Sequence, residues 1–201
     1  MRKINEIFLS IQGEGYHTGV PSIFIRFSGC NLKCGFCDTV HQDGMWMEDA
    51  DILKEVLRYK ASLIVLTGGE PSLQIDEGFI RSLKEVSGLR IAIETNGTKE
   101  LPAGIDWITV SPKIGADGCD DNNTVIKVTH ANELKVIDTG QDLESYFTLN
   151  CVDKNTVFVL QPCDVPCPEQ REANIKRTIR RVLADPRWRL SLQTHKFLGI
   201  K

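Results

Sequence analysis

Short apolar runs alternate along this chain with amphipathic stretches, and most runs stop at a glycine or a polar turn. Ser22-Ile23-Phe24-Ile25-Arg26-Phe27 is β-branched and aromatic and ends at Gly29, and the strand from Leu63 to Leu66 is cut off by Gly68-Gly69 and Pro71. Further strands are read at 90–94, 107–110, 133–137, 157–161 and 190–193. Residues 48–59 place Ala50, Leu53, Val56 and Leu57 at helical spacing. A helix from about Asp76 turns Phe79, Ile80, Leu83 and Val86 inward and stops at Gly88, and a long basic helix at 169–184 is closed by Pro186. This alternation predicts a parallel α/β sheet with crossover helices. Helices are fewer than strands, so an open, partial barrel is expected. No linker or internal repeat divides residues 1–201 into more than one domain.

The chain is 41% hydrophobic and 25% charged, which excludes disordered and fibrous classes. A formal charge of −3 gives no support to general nucleic-acid or membrane-surface binding. No apolar run approaches the ~20 residues of a membrane span. The N-terminal apolar stretch after Arg2 and Lys3 breaks at Ser10 and Gln12, before a secretory core forms. A cytoplasmic protein is expected. In a reducing compartment its seven cysteines point to metal ligation or catalysis more than to disulfides.

Ligands of parallel sheets gather at the carboxyl ends of the strands. Those ends are polar and glycine-rich here: Gly29-Cys30, Thr67-Gly68-Gly69-Glu70-Pro71, Glu94-Thr95-Asn96-Gly97, Ser111-Pro112-Lys113 and Gln161-Pro162-Cys163-Asp164. Together they predict a lined cavity. Cys30, Cys34 and Cys37 form C-x3-C-x2-C directly after a strand. Three thiolates can hold three irons of a [4Fe-4S] cluster and leave the fourth open to a reacting molecule. The same cysteines, with His41 as a fourth ligand, would also make a closed zinc site.

The triad, with Phe36 before its last cysteine, and the Gly68-Gly69-Glu70-Pro71 turn resemble the signature of the radical S-adenosylmethionine (SAM) superfamily. That resemblance implies a partial TIM-like barrel and an open iron that binds SAM. It also implies reductive cleavage of SAM to a 5′-deoxyadenosyl radical. Ile11-Gln12-Gly13-Glu14-Gly15, Arg26, Asp38-Thr39, Glu94 to Gly97, Ser111 to Lys113, Glu133-Leu134-Lys135, Gln161-Pro162 and the stretch from Gln193 to Lys201 follow in order. This set is similar to the family of 7-carboxy-7-deazaguanine synthases. The likeness implies a carbon–nitrogen lyase of queuosine and 7-deazapurine biosynthesis that converts 6-carboxy-5,6,7,8-tetrahydropterin to 7-carboxy-7-deazaguanine with loss of ammonia. It implies hydrogen abstraction at C6 of the substrate, use of Mg²⁺, and a homodimer.

By that resemblance Ile11, Gln12, Gly13, Glu14, Arg26, Thr67, His195 and the terminal carboxylate of Lys201 contact substrate. Phe36, Cys37, Asp38, Gly69, Ser111, Pro112, Lys113, Gln161, Pro162, Cys163 and Asp164 contact SAM, and the Thr39 hydroxyl ligates Mg²⁺. The residue types suit those roles. An ionised Glu14 accepts from a guanidine-like N–H pair, and Arg26 offers a bidentate clamp to a carboxylate, if it is not spent on an edge-strand salt bridge. Cys119, Cys151, Cys163 and Cys167 are four in number and could hold a second metal, but buried or incidental thiols are the default reading for them. Arg171, Lys176, Arg177, Arg180 and Arg181 make a solvated helix face or a dock for an acidic reductant such as a flavodoxin. The loop 115–123 is acidic and glycine-rich, with no chemistry evident in it. A glycyl-radical activase shares the size and cysteine motif. A non-catalytic zinc or iron–sulfur module is the third reading.

Overall fold

The computed structural model describes residues 1–116 and 124–201, so Cys119 and most of the acidic loop lie outside the described residues. The frame is a sheet of β1 (Arg2–Ile11), β2 (Pro21–Phe27), β3 (Met45–Met47), β4 (Leu63–Gly68), β5 (Arg90–Thr95), β6 (Trp107–Val110), β7 (Glu133–Asp138), β8 (Val157–Pro162) and β9 (Trp188–Leu190). Their spatial order is β3-β1-β2-β4-β5-β6-β7-β8-β9. Neighbours from β2 onward pair in parallel, whereas β1 runs antiparallel to both β2 and β3. The helices are α1 (Asp49–Val56), α2 (Glu77–Ser87), α3 (Pro168–Ala184) and α4 (Thr194–Leu198). Among the described residues four α-helices thus serve nine strands, and the sheet ends in two separate edges, β3 and β9. The barrel is open, as the sequence predicts. No helix among the described residues is long and apolar enough to cross a membrane.

Strand alternation divides the interior from the packing face. Ile23, Ile25, Phe27, Ile64, Leu66, Ile91 and Ile93 pack outward against Ile52, Val56, Phe79, Ile80 and Leu83 of α1 and α2. Each such side chain contributes about 1.5–3 kcal/mol when fully buried. The opposite face of the same strands carries a smaller apolar floor of Phe8, Phe24, Leu63, Val65 and Ala92. Helix α2 starts where Asp76 accepts from the Phe79 N–H at 2.9 Å. It ends at Gly88, whose N–H donates to the Lys84 carbonyl at 2.8 Å and whose φ of +67° turns the chain into β5.

The sequence reading needs correcting at several elements. β1 escapes a period-2 reading because its register shifts between Ile4 and Glu6, which breaks the alternation. β3 is three residues long and α4 five, both too short to show a pattern in the sequence. The last strand is Trp188–Leu190, set by burial of Trp188 in the second core cluster; residues 191–193 leave the sheet. Val86, expected inward, is 43% exposed in the last turn of α2. Ala50 and Leu57 also face solvent, and Ile52 and Val56 form the buried stripe of α1.

The basic run on α3 is only partly a solvated face. Arg177 and Arg181 reach fully buried Asp138 at the end of β7, at 3.4 and 2.6 Å, and Thr178 Oγ1 donates to it at 2.8 Å. Arg171 pairs with Asp164 at 2.7 Å, which leaves Lys176 and Arg180 outward. Asn174 donates to the Cys163 carbonyl at 2.8 Å, so α3 also braces the loop after β8. Asp138→Ala leaves two guanidinium groups without their shared buried partner. We expect a loss of about 2–4 kcal/mol, read as a lower denaturant midpoint with an unchanged slope.

Candidate active site

The carboxyl ends of the strands open into a cavity of about 510 Å³. All five polar strand ends contribute to its wall. Of the residues expected at substrate, Ile11, Gln12, Gly13, Glu14, Arg26, Thr67, His195 and Lys201 line it. Of those expected at cluster, SAM and Mg²⁺, Cys30, Cys34, Phe36, Cys37, Asp38, Thr39, Gly69, Ser111, Lys113, Gln161, Pro162, Cys163 and Asp164 line it. Pro112 is buried behind the wall.

The cysteine loop is tied at its stem, where the Gly29 N–H donates to the His41 carbonyl at 2.7 Å. Inside it the Cys37 N–H donates to the Cys34 carbonyl at 3.1 Å, and the Leu32 N–H meets Cys30 Sγ at 3.4 Å. Burial pushes the Cys30 thiol up, so ligation would need a metal's charge to favour the thiolate. The turn after β4 locks onto this loop. The Gly69 N–H donates to the Phe27 carbonyl at 3.0 Å and the Glu70 N–H to the Gly29 carbonyl at 2.8 Å. A Cβ on Gly69 would sit 2.0 Å from the Gly29 oxygen, so only glycine fits. Glu70, 1% exposed, accepts from Thr95 Oγ1 at 2.6 Å and from the Asn96 N–H at 2.7 Å. It therefore fastens that turn to the end of β5.

Among the described residues no three His, Cys, Asp or Glu side chains gather around a point as a single-ion site would require. A four-iron cluster is wider and draws thiolates from around its faces. Three cysteines on one loop, all facing the cavity, fit it in donor chemistry.

Opposite the cysteines, the interior is charged. Lys135, 5% exposed in β7, donates to Glu14 Oε2 at 2.6 Å and Glu94 Oε2 at 3.3 Å. Gln12 donates to Glu94 Oε1 at 3.0 Å and accepts from the Glu14 N–H at 3.1 Å. Gln193 donates to Glu14 Oε1 at 2.8 Å and to Asp38 Oδ2 at 3.0 Å. Burial pushes the Glu14 carboxyl up, but the Lys135 charge and the side-chain amides outweigh it and hold it below the usual range. Burial likewise works against the Lys135 ammonium, and the carboxylates around it prevail and raise its pKa.

Arg26 lies in an interior strand, not at an edge, and its Nε is held by Glu6 Oε1 at 3.1 Å. The C-terminal segment folds back over the opening. The Thr194 N–H and hydroxyl both reach the Gly13 carbonyl, at 2.9 and 3.0 Å, and His195 packs so tightly on Gly13 that a Cβ there would meet Nδ1 at 2.2 Å. Ser10 Oγ donates to the Lys201 backbone oxygen at 2.5 Å, and Lys201 Nζ pairs with Glu6 at 2.6 Å. Lys196 bridges Asp38 and Asp164, both at 2.6 Å.

Glu70 and Glu94 lie in strand ends expected to line the cavity, and Lys135, Gln193 and Lys196 in segments that carry the resemblance, but the sequence reading gives none of the five an individual role. For Lys135 the available signal was the alternation of Glu133 and Lys135 with Leu134 and Val136, which puts both charges on the inner face of β7.

The sequence pattern of the Radical SAM superfamily matches residues 24–142. A Bacteroides thetaiotaomicron protein named 7-carboxy-7-deazaguanine synthase is 50% identical over 201 residues, 100% of each chain. One of that name from Nitratidesulfovibrio vulgaris is 41% identical, covering 98% of each chain. The crystal structure of QueE from Escherichia coli superposes with a TM-score of 0.72 at 31% identity, covering 96% of this chain and 93% of that one.

Gly69→Ala tests the contact between the glycine turn and the cysteine loop. The added methyl forces the two backbones apart at a cost of about 1–3 kcal/mol. Circular dichroism should show a folded protein whose reconstituted iron content falls by more than half.

Proposed function

The chain belongs to the radical SAM superfamily and, within it, to the 7-carboxy-7-deazaguanine synthases, and from that premise we propose how its own residues carry out the reaction. The activity is the lyase step that forms 7-carboxy-7-deazaguanine from 6-carboxy-5,6,7,8-tetrahydropterin with release of ammonia. Cys30, Cys34 and Cys37 would hold a [4Fe-4S] cluster. Gly69, Ser111, Lys113, Asp38 and the segment Gln161 to Asp164 would seat SAM, with Phe36 beside it. When bound, this pair supplies the one-electron chemistry that starts the reaction. The protein's part is to hold the substrate C–H against the reacting carbon and keep water out.

Gln12, Glu14 and the backbone at Gly13 would receive the amide and guanidine-like edge of the pterin; Ile11 and Thr67 flank it. Arg26 and His195, with the C-terminal residue Lys201, would take its carboxylate side. The observation that carries this reading is that one cavity brings the three cysteines together with Gln12, Glu14, Arg26 and His195. A non-catalytic module has no use for that second set. Mg²⁺ keeps most of its coordination sphere for waters and substrate oxygens. Thr39 lines the cavity, and its single hydroxyl suits such an ion.

Residues 1–201 would act as one domain. Trp46 and Met45, 63% and 66% exposed on edge strand β3, support a homodimer. Lys176 and Arg180 on α3 support an acidic, flavodoxin-like electron donor. The unpaired state of all six described cysteines supports a reducing, cytoplasmic setting.

Anaerobic incubation of the reconstituted protein with SAM, dithionite, Mg²⁺ and 6-carboxytetrahydropterin should yield 7-carboxy-7-deazaguanine by mass spectrometry, and none with Cys34→Ala. Accumulation of 5′-deoxyadenosine alone would remove the substrate assignment. Deleting residues 199–201 takes away the contacts of Lys201 with Ser10 and Glu6. Turnover should fall at least tenfold, and undiminished turnover would refute the role given to this segment.

A further inference from the structure

We propose that Lys135 is a positioning residue that fixes Glu14 and Glu94 as two acceptors and so sets the selectivity of the cavity for a substrate edge rich in N–H donors. The inference deepens the substrate reading above and rests on it. Lys135 emerges from the middle of β7 and is buried to 5% exposure. Its Nζ lies 2.6 Å from Glu14 Oε2 and 3.3 Å from Glu94 Oε2, and both carboxylates line the cavity. Glu14 comes from the loop after β1 and Glu94 from the end of β5, so one ammonium joins two elements that the backbone leaves separate.

The remaining carboxylate oxygens are also assigned. Glu14 Oε1 accepts from Gln193, and Glu94 Oε1 accepts from Gln12. An amide can turn to serve a donor or an acceptor, but an ammonium donates and an ionised carboxylate accepts. With Lys135 holding one oxygen of each, both carboxylates are kept as acceptors on the cavity wall, the chemistry that the N–H groups of an aminopyrimidinone edge require. Among the described residues, charged or titratable groups around this cluster include Glu133 from the same strand, whose carboxyl burial pushes up, Asp38 of the cysteine loop, which shares the Gln193 amide with Glu14, and His195, packed on Gly13. A cation at Lys135 favours ionised Glu14; without it, Glu14 would take up a proton at higher pH.

The test compares wild type, Lys135→Gln and Lys135→Arg, each reconstituted with iron and sulfide. Lys135→Gln should raise KM for 6-carboxytetrahydropterin at least tenfold, change kcat less than threefold, and move the acid limb of kcat/KM up by about one pH unit. Its SAM-dependent change in the electron paramagnetic resonance of the reduced cluster should match wild type. Lys135→Arg keeps the charge and should leave the acid limb where wild type has it. Unchanged KM and pH profile in Lys135→Gln overturn the proposal while leaving the substrate reading intact. If Lys135→Gln does not fold, a shifted acid limb in Lys135→Arg overturns it instead. A wild-type protein that binds SAM but leaves the pterin untouched removes the substrate reading, and this proposal with it.

Discussion

An open sheet has two edges that do not meet, and the interior of this one stays a cavity because the chain spans the gap itself. The loop after β1 reaches toward β9, where the Gly15 N–H donates to Ser191 Oγ at 3.0 Å. The segment after β9 reaches back, through Thr194 to the Gly13 carbonyl and through Lys201 to Ser10 and Glu6. Ordering such segments costs about 1–2 kcal/mol per residue in backbone entropy, against about 1 kcal/mol returned by each hydrogen bond. The balance favours order only because many of these contacts are shared. Gln12, Gly13, Glu14 and His195 are thus at once the closure of the barrel and its candidate substrate residues.

Closure by polar side chains leaves charge inside. Glu14 and Glu94 face Lys135, and the Arg26 guanidinium faces Glu6, which also accepts from Lys201. Buried ions are tolerable when paired, since an isolated one costs several kcal/mol. Glu133 shows the limit. Its Oε2 accepts from the Tyr16 N–H at 3.1 Å and from Trp107 and Thr109 at 3.3 Å, but its Oε1 is buried beside Gly15 with no partner among the described residues. Burial, with the Glu94 charge adding to it, raises its pKa against the opposing pull of Lys135 and of its hydrogen-bond donors. Gly15 has to be glycine here, both for its φ of +65° and because a Cβ would lie 2.2 Å from Oε1.

Much of this was legible in the sequence because parallel strands and their glycine-rich ends obey local rules. The strand from Ser22 to Phe27 is an almost continuously buried β-branched and aromatic run, the helix closed by Gly88 carries a periodic apolar stripe, each ends on a stop signal, and both lie close to where the sequence puts them. The cysteine spacing needed no structure to be noticed. What stayed hidden depends on distant partners. β1 carries a bulge that hides its alternation, and β3 is defined only by pairing with β1. Lys135 stands in a segment that carries the resemblance, Glu133-Leu134-Lys135, but its role shows only once β7 is placed with one face toward a cavity. Glu70 sits within a recognisable turn, but its work lies in the bonds to Thr95 and Asn96, 25 and 26 residues away.

The two halves of the cavity are not independent. Gln193 uses one amide nitrogen for both, donating to Glu14 Oε1 at 2.8 Å and to Asp38 Oδ2 at 3.0 Å. Glu14 belongs to the charged half, and Asp38 directly follows Cys37 in the cysteine loop. Lys196, one turn further on, ties the same Asp38 to Asp164 after β8. A displacement of the cysteine loop therefore lengthens bonds that also orient Glu14, and a displacement of Glu14 pulls on the loop. Hydrogen abstraction needs donor and acceptor carbons held in near-contact, and a misplacement of about 1 Å can cost a hundredfold in rate. A shared donor enforces that register more directly than two separately rigid halves would. It also explains why the chain places this pair of residues on the same short segment that closes the barrel.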